Sequence, residues 1–249
     1  MLSNCLIIIP TYNELENISP LIKSIFSLQQ DVHLLIIDDD SPDGTAGKVR
    51  ELQKEFTKRL FLEQRTGKHG LGTAYIHGFK WALERSYEYI FEMDADFSHP
   101  PDALQSLFNA CAIKGFDVAI GSRYVKGGKV LNWPANRVLM SYYASVYVRL
   151  ITWMPVQDTT AGFVCYRRKV LEAIDLDKIQ FVGYAFQIEM KYAAYCLGFT
   201  MKEVPIIFSD RVEGNSKMSH GIFREAVVGV LYMRWNSFYK SYRKHAHAE

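Results

Sequence analysis

The first hundred residues switch repeatedly between two periodicities, and that rhythm constrains the fold more than any other feature. Residues 5–9 (CLIII) are a short apolar run that reads as a strand buried on both faces. Ile18, Leu21, Ile22, Ile25 and Phe26 then recur at the i, i+3, i+4, i+7, i+8 spacing of one helix face, with Asn17 as its expected cap. Residues 33–37 predict a second strand, and the turn chemistry of Ser41-Pro42-Asp43-Gly44 leads into a helix carrying Val49, Leu52 and Phe56. Residues 60–63 predict a third strand, Gly67 to Gly72 open a helix running through Leu83, and residues 89–93 predict a fourth strand. This order predicts right-handed βαβ units and a doubly wound, mostly parallel sheet. Beyond residue 100 the spacing loosens. It predicts a helix after Pro100-Pro101, strands at 116–120, 163–167 and 201–208, and helices from about Arg137, at 185–196 and at about 219–239.

Composition narrows the function classes. Apolar residues at 49% with 22% charged exclude a disordered chain, and 249 residues make one large domain, with or without an appendage. The 29 Lys+Arg against 27 Asp+Glu leave +2, too little field to predict a nucleic-acid partner. Cys5, Cys111, Cys165 and Cys196 are far apart without zinc-site spacing, which predicts reduced thiols in a cytosolic setting. The longest nearly uncharged stretch, 138–154, is broken by Arg149 and falls short of the roughly 20 apolar residues that span a bilayer. Residues 6–9 are too short for a signal peptide. A soluble or peripheral protein is the expectation.

In a parallel α/β sheet, ligands bind beyond the carboxyl ends of the strands. Pro10-Thr11-Tyr12-Asn13-Glu14 follows the first strand, Asp38-Asp39-Asp40 the second and Asp94-Ala95-Asp96 the fourth. One such acid reads as a turn or cap; three clusters on one rim do not. Carboxylates at i and i+2 repel unless a cation lies between them, and hard divalent ions take one or two carboxylates plus substrate phosphate oxygens. A dinucleotide fingerprint is absent after the first strand, and Gly67-Lys68-His69-Gly70-Leu71-Gly72 lacks P-loop spacing.

Eight segments, in order over about residues 5–218, resemble the family-2, GT-A-fold glycosyltransferases, and within them the polyprenol (dolichyl) phosphate mannosyltransferases. They are IIIPTYNELENI (7–18), IDDDSPDGT (37–45), KHGLGTAYIHGF (68–79), MDADFSHPP (93–101), GSRY (121–124), DTTAGFVCYRRKVLE (158–172), GYAFQIEM (183–190) and RVEGNSK (211–217). The resemblance implies an α/β GT-A catalytic domain at 1–218, followed by a helix and basic tail at 219–249. It implies inverting transfer of mannose from GDP-mannose to a polyprenyl phosphate with Mg²⁺ or Mn²⁺. Other implied alternatives are a UDP-sugar donor such as UDP-glucose, a hydroxyl acceptor, or a non-catalytic nucleotide-sugar-binding subunit. At matching positions, Pro10, Tyr12, Glu14, Ile37 and Asp39 would hold base and ribose. Asp94, Ala95 and Asp96 would meet the ribose and metal–diphosphate, with Ser98 as an extra metal ligand. Arg123 and Arg137 would face the sugar and acceptor phosphate, and Arg211 and Lys217 would close over the diphosphate. A peripheral protein on the cytoplasmic face of a membrane, with or without a separate membrane-anchoring subunit, is the implied setting.

The chemistry agrees with these roles. A departing nucleoside diphosphate gains negative charge, which a divalent cation and basic side chains stabilise. A phosphate monoester, with its second pKa near 6, is already largely dianionic at pH 7 and needs positioning cations more than a base. Asp158 would serve as base for a hydroxyl acceptor, with His69, His77 and His99 as alternatives for proton transfer. Arg137, Ser141, Ser145 and Arg149 share one helix face, while Leu139, Tyr142, Tyr143, Val146, Tyr147, Leu150 and Trp153 form a broad aromatic and aliphatic face. That pattern reads either as a helix packed on the core or as one lying in a membrane interface, joined by the final helix and its Lys240, Arg243 and Lys244.

Overall fold

Side chains alternate across a strand, so a strand buried on both faces must be covered by helices above and below. This happens at β1 (Cys5–Thr11), where Leu6 and Ile8 join one apolar cluster and Ile7 and Ile9 the other. The computed structural model describes residues 2, 4–28, 31–183, 185–210, 220–237 and 241–244, with the backbone alone at 220–227. The strands β2 (Val32–Asp38), β3 (Leu60–Gln64), β4 (Tyr89–Glu92) and β5 (Val118–Ser122) alternate with α1 (Leu15–Leu28), α2 (Thr45–Glu55), α3 (Leu71–Leu83) and α4 (Leu104–Ala112). Next come β6 (Lys129–Leu131), α5 (Ala135–Thr152), β7 (Val164–Arg167), α6 (Arg168–Ala173) and α7 (Ala185–Cys196). The last elements are β8 (Met201–Pro205), β9 (Ile207–Ser209) and α8 (His220–Asn236).

The main sheet has the order β3-β2-β1-β4-β7-β5-β8 and is parallel except for β7, which runs antiparallel between β4 and β5. The expected α/β, mostly parallel, doubly wound architecture is therefore present. Helices α1 and α4 pack Leu21, Ile25, Leu104 and Leu107 on one face; α3 and α7 pack Tyr75, Phe79, Phe186 and Met190 on the other. The single strand expected at 201–208 is two, because Ile206 turns inward, 3% exposed, and β9 leaves the main sheet to pair with β6 in parallel. In α8, Val230 and Met233 are buried in the cluster that includes α7, so the helix lies on the domain. No helix among the described residues is long and apolar enough to cross a membrane.

Asn17 is not the cap of α1. It sits one turn in, where its amide donates to Glu14 at 3.0 Å, and the first helical carbonyl is that of Glu14. The exposed amides before and at the helix start instead donate to the turn after β2: Asn13 N to Ser41 Oγ (3.0 Å), Glu14 N to Thr45 Oγ1 (3.0 Å) and Leu15 N to Asp43 Oδ2 (3.1 Å). Gly72 and Gly78 of the 68–79 segment serve packing, while Gly70 takes a positive φ (94°) ahead of α3. A Cβ at Gly78 would stand 2.7 Å from Ile8 Cγ2, so its absence lets α3 lie directly on β1.

Candidate active site

The carboxyl ends of β1, β2, β4 and β5 open into a cavity of about 620 Å³. It brings together Pro10, Tyr12, Glu14, Asp39, Asp94, Ala95, Asp96, Ser98, Arg123 and Arg137 from the residues singled out in the sequence. Ile37 lies fully buried in the core and does not line it. Arg211 and Lys217 lie outside the described residues.

Each acid on this rim is held differently. Asp38 is structural: Oδ2 accepts from Thr11 Oγ1 (2.8 Å) and Ser41 Oγ (2.6 Å), locking β1 to the turn after β2. Asp39, 5% exposed, accepts from Arg65 Nε (2.7 Å) and from the His69 backbone amide (3.2 Å). Asp96 is buried and accepts the Ser98 amide at 3.1 Å, a bond made possible by the left-handed Phe97 between them (φ 61°). Asp94 is partly open; Tyr75 donates its hydroxyl to Oδ1 at 3.3 Å. Burial first, and then the neighbouring Asp94 carboxylate, push the Tyr75 phenol well above its ordinary range, so it remains a neutral donor.

The three histidines divide. His99 Nδ1 accepts the Asp94 amide (2.9 Å), which puts the ring proton of the neutral form on Nε2, 3.9 Å from Asp94 Oδ2. It is buried, lines the cavity and stacks on Phe163. His77 pairs with Glu63 on the outer side of α3, and His69 bonds the Thr66 carbonyl; neither lines the cavity.

Asp158 does not present itself as a base. It is fully buried, and its carboxylate grips Arg123 through Nε (2.7 Å), Nη2 (2.6 Å) and the backbone amide (2.9 Å). Burial works against the Arg123 charge, but the Asp158 carboxylate more than offsets it and holds the guanidinium above its ordinary value. Glu203 supports the pair by accepting the Asp158 amide (2.9 Å) and the Ser122 hydroxyl (2.7 Å). The pairing thus fixes Arg123 at the cavity wall, where Nη2 also reaches Thr160 Oγ1 at 2.8 Å.

Several site residues escape sequence reasoning. Arg65 orients Asp39; Trp133 and Asp210 flank Arg137, with Trp133 Nε1 donating to Asp210 Oδ1 at 3.1 Å. Beneath Asp94 lies a buried group of Glu92, Gln187 and Lys191, the last donating to the Ala161 carbonyl at 2.7 Å. Burial pushes Glu92 up to about 8 against the opposing pull of Lys191, and burial draws Lys191 down to about 8. An acid inside the apolar strand YIFE was the available signal for this group.

No group of three or more His, Cys, Asp or Glu side chains forms a complete metal cage among the described residues. The two carboxylates of Asp94 and Asp96 are the donor set that suits a hard divalent ion completing its shell with ligand phosphates and water.

An α/β sheet with acidic strand ends opening on one cavity is the setting of a transferase site, and the chain belongs to glycosyltransferase family 2: the model described as Glycosyl transferase family 2 matches residues 6–175. The chain is 46% identical over 225 residues to the polyprenol monophosphomannose synthase of Mycolicibacterium smegmatis, covering 90% of this chain and 84% of that one. It is 44% identical to the undecaprenyl-phosphate mannosyltransferase of Micrococcus luteus, covering 92% and 93%. Solved structures share the fold at 16% identity. Glucosyl-3-phosphoglycerate synthase of Mycobacterium tuberculosis, in complex with Mn²⁺, UDP and phosphoglyceric acid, has a TM-score of 0.67 (92% of this chain, 78% of that one). The Pyrobaculum calidifontis mannosyltransferase PcManGT, in complex with GDP-Man and Mn²⁺, has a TM-score of 0.60 (94% and 64%).

Proposed function

We propose that this chain transfers mannose from GDP-mannose to the phosphate of a polyprenyl phosphate, inverting the anomeric carbon. The carrying observation is that one cavity runs from the acidic strand ends, past Arg123 and Arg137, to an apolar wall of Met140, Tyr143, Ala144, Tyr147 and Val230. A donor nucleotide, an acceptor phosphate and a prenyl chain are the three chemistries such a series suits. The names of the relatives above support the same reading.

Pro10, Tyr12, Glu14 and Asp39 hold base and ribose, with Ile37 shaping β2 behind them. Asp94, Ala95 and Asp96 meet the ribose and diphosphate, and the carboxylates of Asp94 and Asp96, with Ser98, would hold Mg²⁺ or Mn²⁺. Such an ion would supply positive charge against the diphosphate. The acceptor is already dianionic, so its oxygen forms the new bond to the anomeric carbon while the bond to GDP breaks, and no base is needed. Arg123, immobilised by Asp158, presents a fixed charge there, and Arg137 orients the acceptor. Arg211 and Lys217, outside the described residues, are assigned to the diphosphate by their chemistry: a guanidinium fork and an ammonium point charge both suit phosphate.

We assign 1–218 to the catalytic domain and 219–249 to a C-terminal helix and tail, of which α8 packs Val230 and Met233 on the domain. The polyprenyl substrate calls for work at a membrane surface; we assign this chain to peripheral binding on the cytoplasmic face, with or without a separate anchoring subunit. Incubating the protein with labelled GDP-mannose, Mn²⁺ and undecaprenyl phosphate tests the reading through label extracted into organic solvent. Preferential transfer from UDP-glucose would replace the donor assignment.

A further inference from the structure

The two arginines between donor and acceptor ends of the cavity are held by opposite edges. Arg123 spends its Nε and Nη2 on Asp158, the edge that forms a two-pronged fork. Arg137 is held through Nη1 alone, which reaches Asp210 Oδ1 at 3.2 Å and Oδ2 at 3.3 Å. Its Nε and Nη2 make no hydrogen bond among the described residues. That fork is the edge by which a guanidinium grips a phosphate bidentately.

The arrangement is built into the backbone. β6 and β9 run parallel and in register, Leu131 opposite Ser209, so their carboxyl ends coincide. Asp210 N donates to Leu131 O at 3.2 Å, which fixes the residue just past β9. On the neighbouring strand Asn132 adopts a left-handed conformation (φ 63°) and presents Trp133 toward Asp210; Pro134 then starts α5 and places Arg137 in its first turn. Trp133 anchors itself to Asp210 through Nε1 and offers its ring to Arg137, whose guanidinium lies 3.9 Å from the ring centroid. An arginine side chain loses rotamer freedom when it grips a ligand, and holding it in place beforehand removes part of that cost from binding.

We propose that Asp210 and Trp133 are positioning residues that turn the Nε/Nη2 fork of Arg137 toward the phosphate monoester of the acceptor. This rests on the reading of Arg137 as an acceptor ligand. Asp210 acts through hydrogen bonding more than through its charge, because Asn at this position still accepts from Trp133 and Arg137.

The test is calorimetric binding of a short, water-soluble prenyl monophosphate, with GDP affinity measured separately and thermal unfolding checking that each variant is folded. Asp210→Ala is expected to weaken prenyl phosphate about tenfold while GDP affinity stays within about twofold, since only acceptor preorganisation is lost. Asp210→Asn is expected to restore binding to within about threefold of the parent, and Trp133→Phe, which keeps the ring but loses the N–H, to fall between. Unchanged prenyl-phosphate binding by Asp210→Ala, or equal loss for GDP, overturns the positioning role. Arg137→Ala separates the two levels: if it binds prenyl phosphate like the parent, the acceptor reading of Arg137 fails; if it loses binding while Asp210→Ala does not, only the positioning role fails.

Discussion

The two ends of the cavity are built on different principles. At the strand ends, Asp39 and Asp96 are nearly buried and fixed by backbone amides, and Arg123 is locked to a fully buried carboxylate. At the helical wall, Arg137 and Asp210 are partly exposed and Tyr143 stands at 63% exposure, while Leu150 and Trp153, outside the cavity at the end of the same helix, reach 70%. Fixed dipoles and charges cost no reorganisation at the moment charge develops, which suits the departing diphosphate. An apolar wall with few directional bonds suits a chain of repeating isoprene units, where register is not specified. Substitutions at the two ends should therefore fail differently: chemistry and stability at the first, binding at the second.

The largest effect is expected at Asp96. Asp96→Ala removes a buried carboxylate from the proposed metal–diphosphate site and should lower the transfer rate by about 10³-fold or more. Mn²⁺-dependent GDP-mannose binding should disappear with it; a variant that still binds the donor in a Mn²⁺-dependent way would remove Asp96 from the site.

Next come the two arginine–carboxylate pairs, which the comparison predicts to be unequal. Asp158→Ala leaves Arg123 buried and unpaired, and urea unfolding should show a loss of about 3–5 kcal/mol. Arg137→Ala breaks a partly exposed pair and should cost no more than about 1 kcal/mol. Equal losses would mean that the helical wall is as rigid as the strand ends.

A smaller, pH-dependent effect tests the buried group below Asp94. Folding raises the Glu92 carboxyl from 4.5 to about 8, chiefly by burial. Between those values the unfolded chain is ionised while the folded one stays protonated, so this residue's contribution is fully present below pH 4.5 and is lost as pH rises toward 8. Glu92→Gln should match the parent near pH 4.5 and exceed its stability by about 1–3 kcal/mol near pH 7.5. Parallel stability–pH curves for the two proteins would show that Glu92 is not buried in its neutral form.

The same contrast explains what could be read before the structure. Strands buried on both faces announce themselves as apolar runs, and acids just past their ends mark the rim, so Asp39, Asp94 and Asp96 were legible. The direction of β7 was not: a four-residue strand carries no signal of which way it runs, and its place between β4 and β5 follows from the long return through α5. Asp158 was legible as a site residue but not as the partner of Arg123, because that bond joins residues 35 apart across the sheet. Arg65 and Asp210 were missed for the same reason. The break at Ile206 was legible in part: Pro205, which has no N–H for a ladder, ends β8, but nothing in IIFS says that the next strand pairs in a second sheet.

The smallest effect concerns the outer face of the helical wall. Trp153 closes α5 in a left-handed conformation (φ 60°) that a bulky residue adopts only at a cost, and it does so while 70% exposed, stacked near Arg234 of α8 at 5.0 Å. Trp235 on α8 is 65% exposed, and Arg243 and Lys244 follow. Indoles favour the headgroup boundary, and cations near anionic lipid contribute about 1 kcal/mol each. Replacing Leu150, Trp153 and Trp235 by Ser should cost no more than about 1 kcal/mol in unfolding, because all three side chains are mostly exposed and the Trp153–Arg234 contact lies at the surface. It should weaken flotation with anionic liposomes about tenfold, with salt weakening the parent as well. If the parent fails to float at low salt, the exposed aromatics do not meet lipid, and the acceptor reaches the apolar wall by another route than the membrane plane.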